Sequence, residues 1–363
     1  MRLPRFAYLP ASTTAEAAQR LAEHPGARLV GGGTDLLPKM KRRQLEADVL
    51  VGLRGVSELC GIRVNGGVTV GAGTRLHELS CAPEIVRRYP ALARAASLVA
   101  SPQIRNAGTV GGNLCVDTRC NYYDLPYDRR CAHGFCMKAG GDVCRLAPGG
   151  DRCWAVSSTD LAPVAHMLGA SVRLVSARGE RTLPIAELYT MDDGIEYLQT
   201  RRDEVLTALV LPPADGLRAT YVKFRRRGAI DFPLVGVAAA VHTDADGICT
   251  EARLVLGAVA TAPLPVPQAA EVLVGVPLTE GAITAAAETA MSATKPMDAL
   301  DLPLAYRRRM VMIHVARAAR AGARFRPPIA TVASDPPRSV DSPNGGARAW
   351  RSFPKPTETP LTR

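Results

Sequence analysis

Aromatic residues are scarce in this chain, at 5% of 363 residues with only two tryptophans. Aromatic rings are what stack on bases, and no basic helix with interleaved aromatics occurs. The net charge of +11 therefore reads as a solvated basic face, and no nucleic-acid partner is expected. Long apolar runs are missing too: no stretch of ~18 or more hydrophobic residues is present, so no membrane span is expected. The opening MRLPRFAYLP has no apolar core of the kind a secretory signal needs. These absences lead to the expectation of a cytoplasmic protein, in which structural disulfides would be rare.

Cysteine, by contrast, is plentiful at nine residues. Cys60, Cys81, Cys115 and Cys249 are scattered through apolar surroundings and read as core fillers. The other five fall in Cys120–Cys153, CNYYDLPYDRRCAHGFCMKAGGDVCRLAPGGDRC, a polar, glycine-rich segment with no evident strand or helix pattern. Such a segment cannot build its own core, so something must offset the entropy of ordering it. Thiolate bonds to a metal centre would do so. The run RRCAHGFC offers Cys131, His133 and Cys136 as zinc ligands, and the residues alone leave that reading open.

Hydrophobic content of 47% allows two or three cores. TTAEAAQRLAEHPG has the capping-box spacing Thr13 to Glu16 and predicts a short amphipathic helix; ARLV and DVLVGL predict strands, giving an alternating α/β opening. IRVNGGVTVG predicts a hairpin, EIVRRYPALARAASLVA helical structure, and SVRLVSARGERTL a strand, turn and strand. From about Gly216, TYVKFRRR, PLVGVAAAVH and EARLVLGAVA predict strands of one sheet. EGAITAAAETAMSA and PLAYRRRMVMIHVARAARA predict helices over one of its faces. After about Arg324 the composition turns to Pro, Gly, Ser and Arg, and a disordered basic tail is expected.

Two glycine loops stand out. VGGGTDLLP places three glycines after a strand, where backbone N–H groups can turn toward a phosphate, although neither the Rossmann nor the Walker spacing is met. NAGTVGGN repeats the small residues and adds the Thr109 hydroxyl and the Asn113 amide. Together they suggest a ligand with two phosphates held between the loops. No histidine has a triad-like local signature, and no catalytic residue is expected in this chain.

LVGGGTDL, RNAGTVGGN, SSTDLAPV and YVKFRRR, in this order, resemble the FAD-binding subunit of the xanthine oxidase family of molybdenum hydroxylases. The resemblance runs over about residues 1–323 and implies an α+β fold. A two-part FAD-binding domain of the vanillyl-alcohol-oxidase (PCMH) type would occupy 1–215, with an iron–sulfur loop inserted at 114–156. A smaller α/β domain like that of CO dehydrogenase flavoproteins would occupy 216–323, followed by the tail 324–363. It implies that Leu29, Val30, Gly31, Gly32, Gly33, Thr34, Asp35 and Leu36, with Thr109, Val110, Gly111, Gly112 and Asn113, wrap the FAD pyrophosphate. Asp160 would hydrogen-bond the cofactor, Lys223 would lie near the flavin, and Val99 and Leu206 would line the site. Without the resemblance Lys223 reads as a solvated strand charge.

The interval from Asn113 to Asp160 is far longer than an ordinary connection and therefore reads as functional. Within the family it is similar to the 4-hydroxybenzoyl-CoA reductase β subunit, whose added loop carries a 4Fe-4S cluster. That implies Cys120, Cys136, Cys144 and Cys153 as cluster ligands, with Lys138, Arg145 and Arg152 adding positive charge that favours the reduced state. The implied partners are a molybdenum-cofactor large subunit, a 2Fe-2S small subunit and a ferredoxin-type electron donor, in a dimer of heterotrimers. The role implied is electron transfer, with substrate chemistry on another chain.

Overall fold

The computed structural model describes residues 2–214 and 217–324; from residue 325 onward the expected tail lies outside the described residues. Three sheets carry the fold. β1 (Ala7–Pro10), β2 (Arg28–Val30) and β3 (Val49–Gly52) form a parallel sheet in the order β1-β3-β2. The helix Thr14–Glu23 connects the first two strands. Its cap is the one the spacing predicts, with Thr13 Oγ1 accepting from the Glu16 amide at 3.1 Å, and Ala17, Ala18 and Leu21 form its buried face. β1 has no pattern to read in advance, being four residues long and paired with a distant strand.

β4 (Ile62–Asn65), β5 (Gly67–Gly71), β6 (Ser171–Ser176), β7 (Gly179–Pro184) and β8 (Val205–Leu211) form an antiparallel sheet in the order β4-β5-β8-β6-β7. Both expected hairpins form. The pairing of β5 with β8 closes the sheet around everything between residues 72 and 170, so the second glycine loop and the cysteine segment are carried on one rigid frame. The predicted helical stretch after Pro83 is split at Tyr89, because Pro90 cannot continue a helix but can begin one. Helices Pro90–Ser97 and Leu161–Met167 join the main core with Leu92, Ala95, Leu161 and Val164.

β9 (Arg218–Phe224), β10 (Val235–Thr243), β11 (Cys249–Gly257) and β12 (Leu264–Pro265) form the third sheet, ordered β12-β11-β10-β9. Along β10 the side chains alternate between two cores. Val235, Val237 and Ala239 join the core built with helices Glu280–Ala293 and Leu304–Arg324, as predicted. Ala238 and Ala240 join the main core, so the opposite face is covered as well, by helices Leu161–Met167 and Pro90–Ser97. Small residues allow that approach: a Cβ on Gly257 would lie 2.9 Å from Pro163 Cγ. No helix among the described residues is long and apolar enough to cross a membrane.

A buried ion pair fastens this sheet to the first part of the chain. Asp160, just before helix Leu161–Met167, takes Lys223 Nζ of β9 at 2.8 Å on one carboxylate oxygen and the Tyr221 hydroxyl at 2.8 Å on the other. Lys223 also donates to the Leu98 carbonyl at 3.1 Å. Both charged side chains are 2% exposed or less, so Lys223 is not the solvated strand charge that its neighbours suggest. Burial pushes Asp160 up and Lys223 down, and each is pulled back by the other. Removing one partner strands a charge: Lys223→Met should cost about 3–5 kcal/mol in denaturant unfolding, and Asp160→Asn with Lys223→Met should recover much of it.

Candidate functional site

The first glycine loop leaves β2 and enters the helix Leu36–Lys41. Among the described residues the amides of Gly32, Gly33, Thr34 and Asp35 donate to no protein acceptor, which leaves a run of four N–H groups for a ligand. Gly32 is required by packing, since a Cβ there would lie 2.1 Å from the Ala107 carbonyl oxygen. Gly33 has φ +68°, which a side chain disfavours. Leu29, Val30 and Leu36 are half-buried on either side of the loop.

The second loop differs from the first. Val110, Gly111, Gly112 and Asn113 donate their amides to Thr74 O, Ala72 O, Thr109 Oγ1 and Thr109 O. These four amides are engaged within the protein, and the loop packs directly against the first one. The second loop backs the first, with Thr109 Oγ1 3.3 Å from the place of a Gly31 Cβ. Asn113 is buried and caps helix Leu161–Met167, accepting from Thr159 Oγ1 at 2.8 Å and the Leu161 amide at 3.1 Å.

Asp160 takes the Tyr221 hydroxyl on one oxygen and Lys223 Nζ on the other, so it positions Lys223. Val99 follows Leu98, whose carbonyl holds Lys223 and Arg225. Leu206 is buried in β8 beside Thr207, whose carbonyl accepts from Ala72 at 2.9 Å; Ala72 in turn accepts from Gly111.

Two short pairings organise the cysteine segment. Arg119 and Val156 exchange backbone hydrogen bonds of 2.8 and 2.7 Å, which pins the two ends together and sets Cys120 near Cys153. Cys136 bridges Val143, with Met137 N donating to Val143 O at 2.9 Å, and this turn sets Cys136 near Cys144. A Cβ on Gly141 would lie 1.8 Å from Phe135 O, so the turn needs glycine there. Cys120, Cys136, Cys144 and Cys153 thus line one cavity, with Tyr123, Met137, Lys138 and Arg145. The segment is not wholly irregular: Tyr127–Ala132 is a helix whose polar sequence hides it from a periodicity search.

Burial pushes the Cys120 thiol up to about 11 and Cys153 up to about 12, so without a cation these sulfurs stay protonated. Among the described residues no group of three or more His, Cys, Asp or Glu side chains could hold a metal ion. Four cysteines on one cavity supply the donor set, four thiolates, that a 4Fe-4S cluster takes. Cys131 and His133 are exposed and off the cavity, so the zinc set does not assemble. Of the four scattered cysteines only Cys249 is fully buried; Cys115 is partly so, its thiol raised by burial to about 12. Cys60 and Cys81 are exposed, because apolar neighbours in sequence do not decide which way a side chain points.

A buried charge chain that sequence reading missed joins the two regions. Lys39, on the helix after the first glycine loop, pairs with Asp117 Oδ2 and lies 3.8 Å from Asp35. Asp117 Oδ1 takes Lys138 Nζ at 2.8 Å, and Lys138 also donates to Gly194 O at 2.7 Å. Burial raises Asp117, and the two lysines more than reverse it, holding its carboxyl below the ordinary value. Lys39 and Asp117 are 78 residues apart, which no local motif can reveal. Arg145 turns to the His133 and Gly134 carbonyls, and Arg152 to Trp154 and Asp192, so Lys138 is the basic residue of the three that is buried in an ion pair.

The sequence family described as the FAD binding domain in molybdopterin dehydrogenase matches residues 4–214, and the CO dehydrogenase flavoprotein C-terminal domain matches residues 219–321. The aldehyde oxidoreductase FAD-binding subunit of Escherichia coli (strain K12) is 33% identical over 268 residues, covering 71% of this chain and 82% of that protein. The carbon monoxide dehydrogenase medium chain of Afipia carboxidovorans is 31% identical over 301 residues, covering 82% and 90%. The reconstituted CO dehydrogenase from Oligotropha carboxidovorans superposes with a TM-score of 0.73 at 27% identity, covering 89% of this chain and 99% of that one. The chain belongs to the FAD-binding medium subunits of the molybdenum hydroxylase family, the oxidoreductases related to xanthine oxidase and CO dehydrogenase.

Proposed function

We propose that this subunit relays electrons between a ferredoxin-type donor and partner chains carrying 2Fe-2S clusters and a molybdenum cofactor, in a 4-hydroxybenzoyl-CoA reductase-like complex. In this reading Cys120, Cys136, Cys144 and Cys153 hold a 4Fe-4S cluster, and the observation that carries it is their convergence on one cavity. When bound, such a cluster exchanges single electrons, and a flavin exchanges one or two. The chain's own residues bind and position these groups. The free amides of Gly32, Gly33, Thr34 and Asp35, with the loop Thr109 to Asn113 packed against them, would hold the FAD pyrophosphate. Lys223, aligned by Asp160, Tyr221 and the Leu98 carbonyl, presents its charge beside the flavin. The proposal places the FAD-binding domain in residues 1–215 and the C-terminal domain in 216–323.

A second reading, an FAD subunit of an oxidative molybdenum hydroxylase, is favoured by the names of relatives such as the nicotinate dehydrogenase FAD-subunit of Eubacterium barkeri. Turnover of 4-hydroxybenzoyl-CoA, against aldehydes or heterocycles, by the purified complex separates the two.

Two variants test the sites independently. Gly32→Ala forces a Cβ onto Ala107 O and should lower flavin affinity at least tenfold, about 1.4 kcal/mol, while leaving any cluster signal intact. Cys144→Ser should abolish the signal of a dithionite-reduced cluster in electron paramagnetic resonance and leave flavin content unchanged, whereas Cys131→Ser should keep both. Retention of the signal in Cys144→Ser would refute the ligand set.

A further inference from the structure

We propose that the buried chain Lys39–Asp117–Lys138 sets the reduction potential of the centre in the cysteine cavity, with Lys138 raising it and Asp117 lowering it. The inference rests on the reading of that cavity as an iron–sulfur site.

The geometry makes the chain part of both regions. Lys138 borders the cavity, and its ammonium is fixed by Asp117 Oδ1 and the Gly194 carbonyl. Gly194 also donates its amide to the Cys153 carbonyl at 2.8 Å, so the group that anchors Lys138 also anchors a proposed ligand. The other end of the chain, Lys39, lies on the helix that follows the first glycine loop. The Tyr123 ring borders the cavity and stands 5.4 Å from Lys39 Nζ and 5.2 Å from Lys138 Nζ, its hydroxyl tied to Gln44 O at 2.9 Å.

Charge in this position acts strongly. The Lys39 and Lys138 side chains are 4% and 6% exposed, so salt and water screen them little. Reduction adds one electron, hence one negative charge, to the cavity's centre. A fixed cation beside it favours the reduced state and a fixed anion opposes it. Lys138 and Asp117 therefore act in opposite directions although they form one ion pair. A purely structural pair would show no such opposition, since loss of either member would disturb the cavity in the same sense.

The test is a potentiometric titration of the anaerobically purified complex, following the cluster by electron paramagnetic resonance and the flavin by absorbance in the same samples. Lys138→Met should shift the cluster midpoint downward, Asp117→Asn upward, and the double replacement should fall between them. Arg152→Gln, a half-buried residue stacked on Trp154 and off the cavity, should leave it unchanged. If Asp117→Asn does not fold, the double variant still decides, because it must lie above Lys138→Met. Unchanged midpoints, or shifts of the same sign in both single variants, overturn the inference and leave the cluster reading standing. A wild-type complex with flavin but no cluster signal overturns both.

Discussion

The backbone pairing of Arg119 with Val156 is the constraint on which the cysteine cavity depends. It closes a long polar excursion at its base and turns a floppy insertion into a loop with fixed ends. Closing a loop of this length costs little more than closing a short one, but ordering its interior costs conformational entropy at every residue. The apolar support is small: Cys120, Tyr123, Cys153, Ala155 and Val156 cluster with Ala258 and Ala299, residues that belong to the C-terminal part of the chain. Arg307, fully buried, secures that wall by donating to the Ala258 carbonyl at 2.6 Å and the Met297 carbonyl at 2.9 Å. The proposed metal bonds are the further contribution that would let the segment hold one shape.

The two proposed cofactor regions meet through charge rather than through a shared apolar core. Buried ions are unfavourable unless paired, and three buried lysines here are paired: Lys223 with Asp160, Lys39 and Lys138 with Asp117. In the proposed relay these pairs would fix the position of the charged groups beside its cofactors.

Much of the fold is legible in the sequence because it obeys simple periods. β10 alternates between two cores, the Thr13 cap starts its helix, and the hairpins fall where the apolar alternation puts them. The failures share a cause, dependence on distant partners. β1 exists because Val49–Gly52 is there to pair with it, and Lys223 is buried because Asp160 meets it from 63 residues away. The helix Tyr127–Ala132 carries no apolar face, and Asp117 is an ordinary acidic residue until Lys39 and Lys138 close on it. The glycine loops are recognisable as a pair, but not that the amides of Gly32 to Asp35 stay free while those of Val110 to Asn113 have protein acceptors. That division depends on which carbonyls Ala72 and Thr74 present, and composition does not encode it.

The most direct test of the account is anomalous diffraction from crystals of the anaerobically prepared complex, collected at the iron and zinc edges. The account predicts one strong iron peak enclosed by Cys120, Cys136, Cys144 and Cys153, and no zinc peak near Cys131. A cavity without iron density, or with a signal at the zinc edge alone, would contradict it.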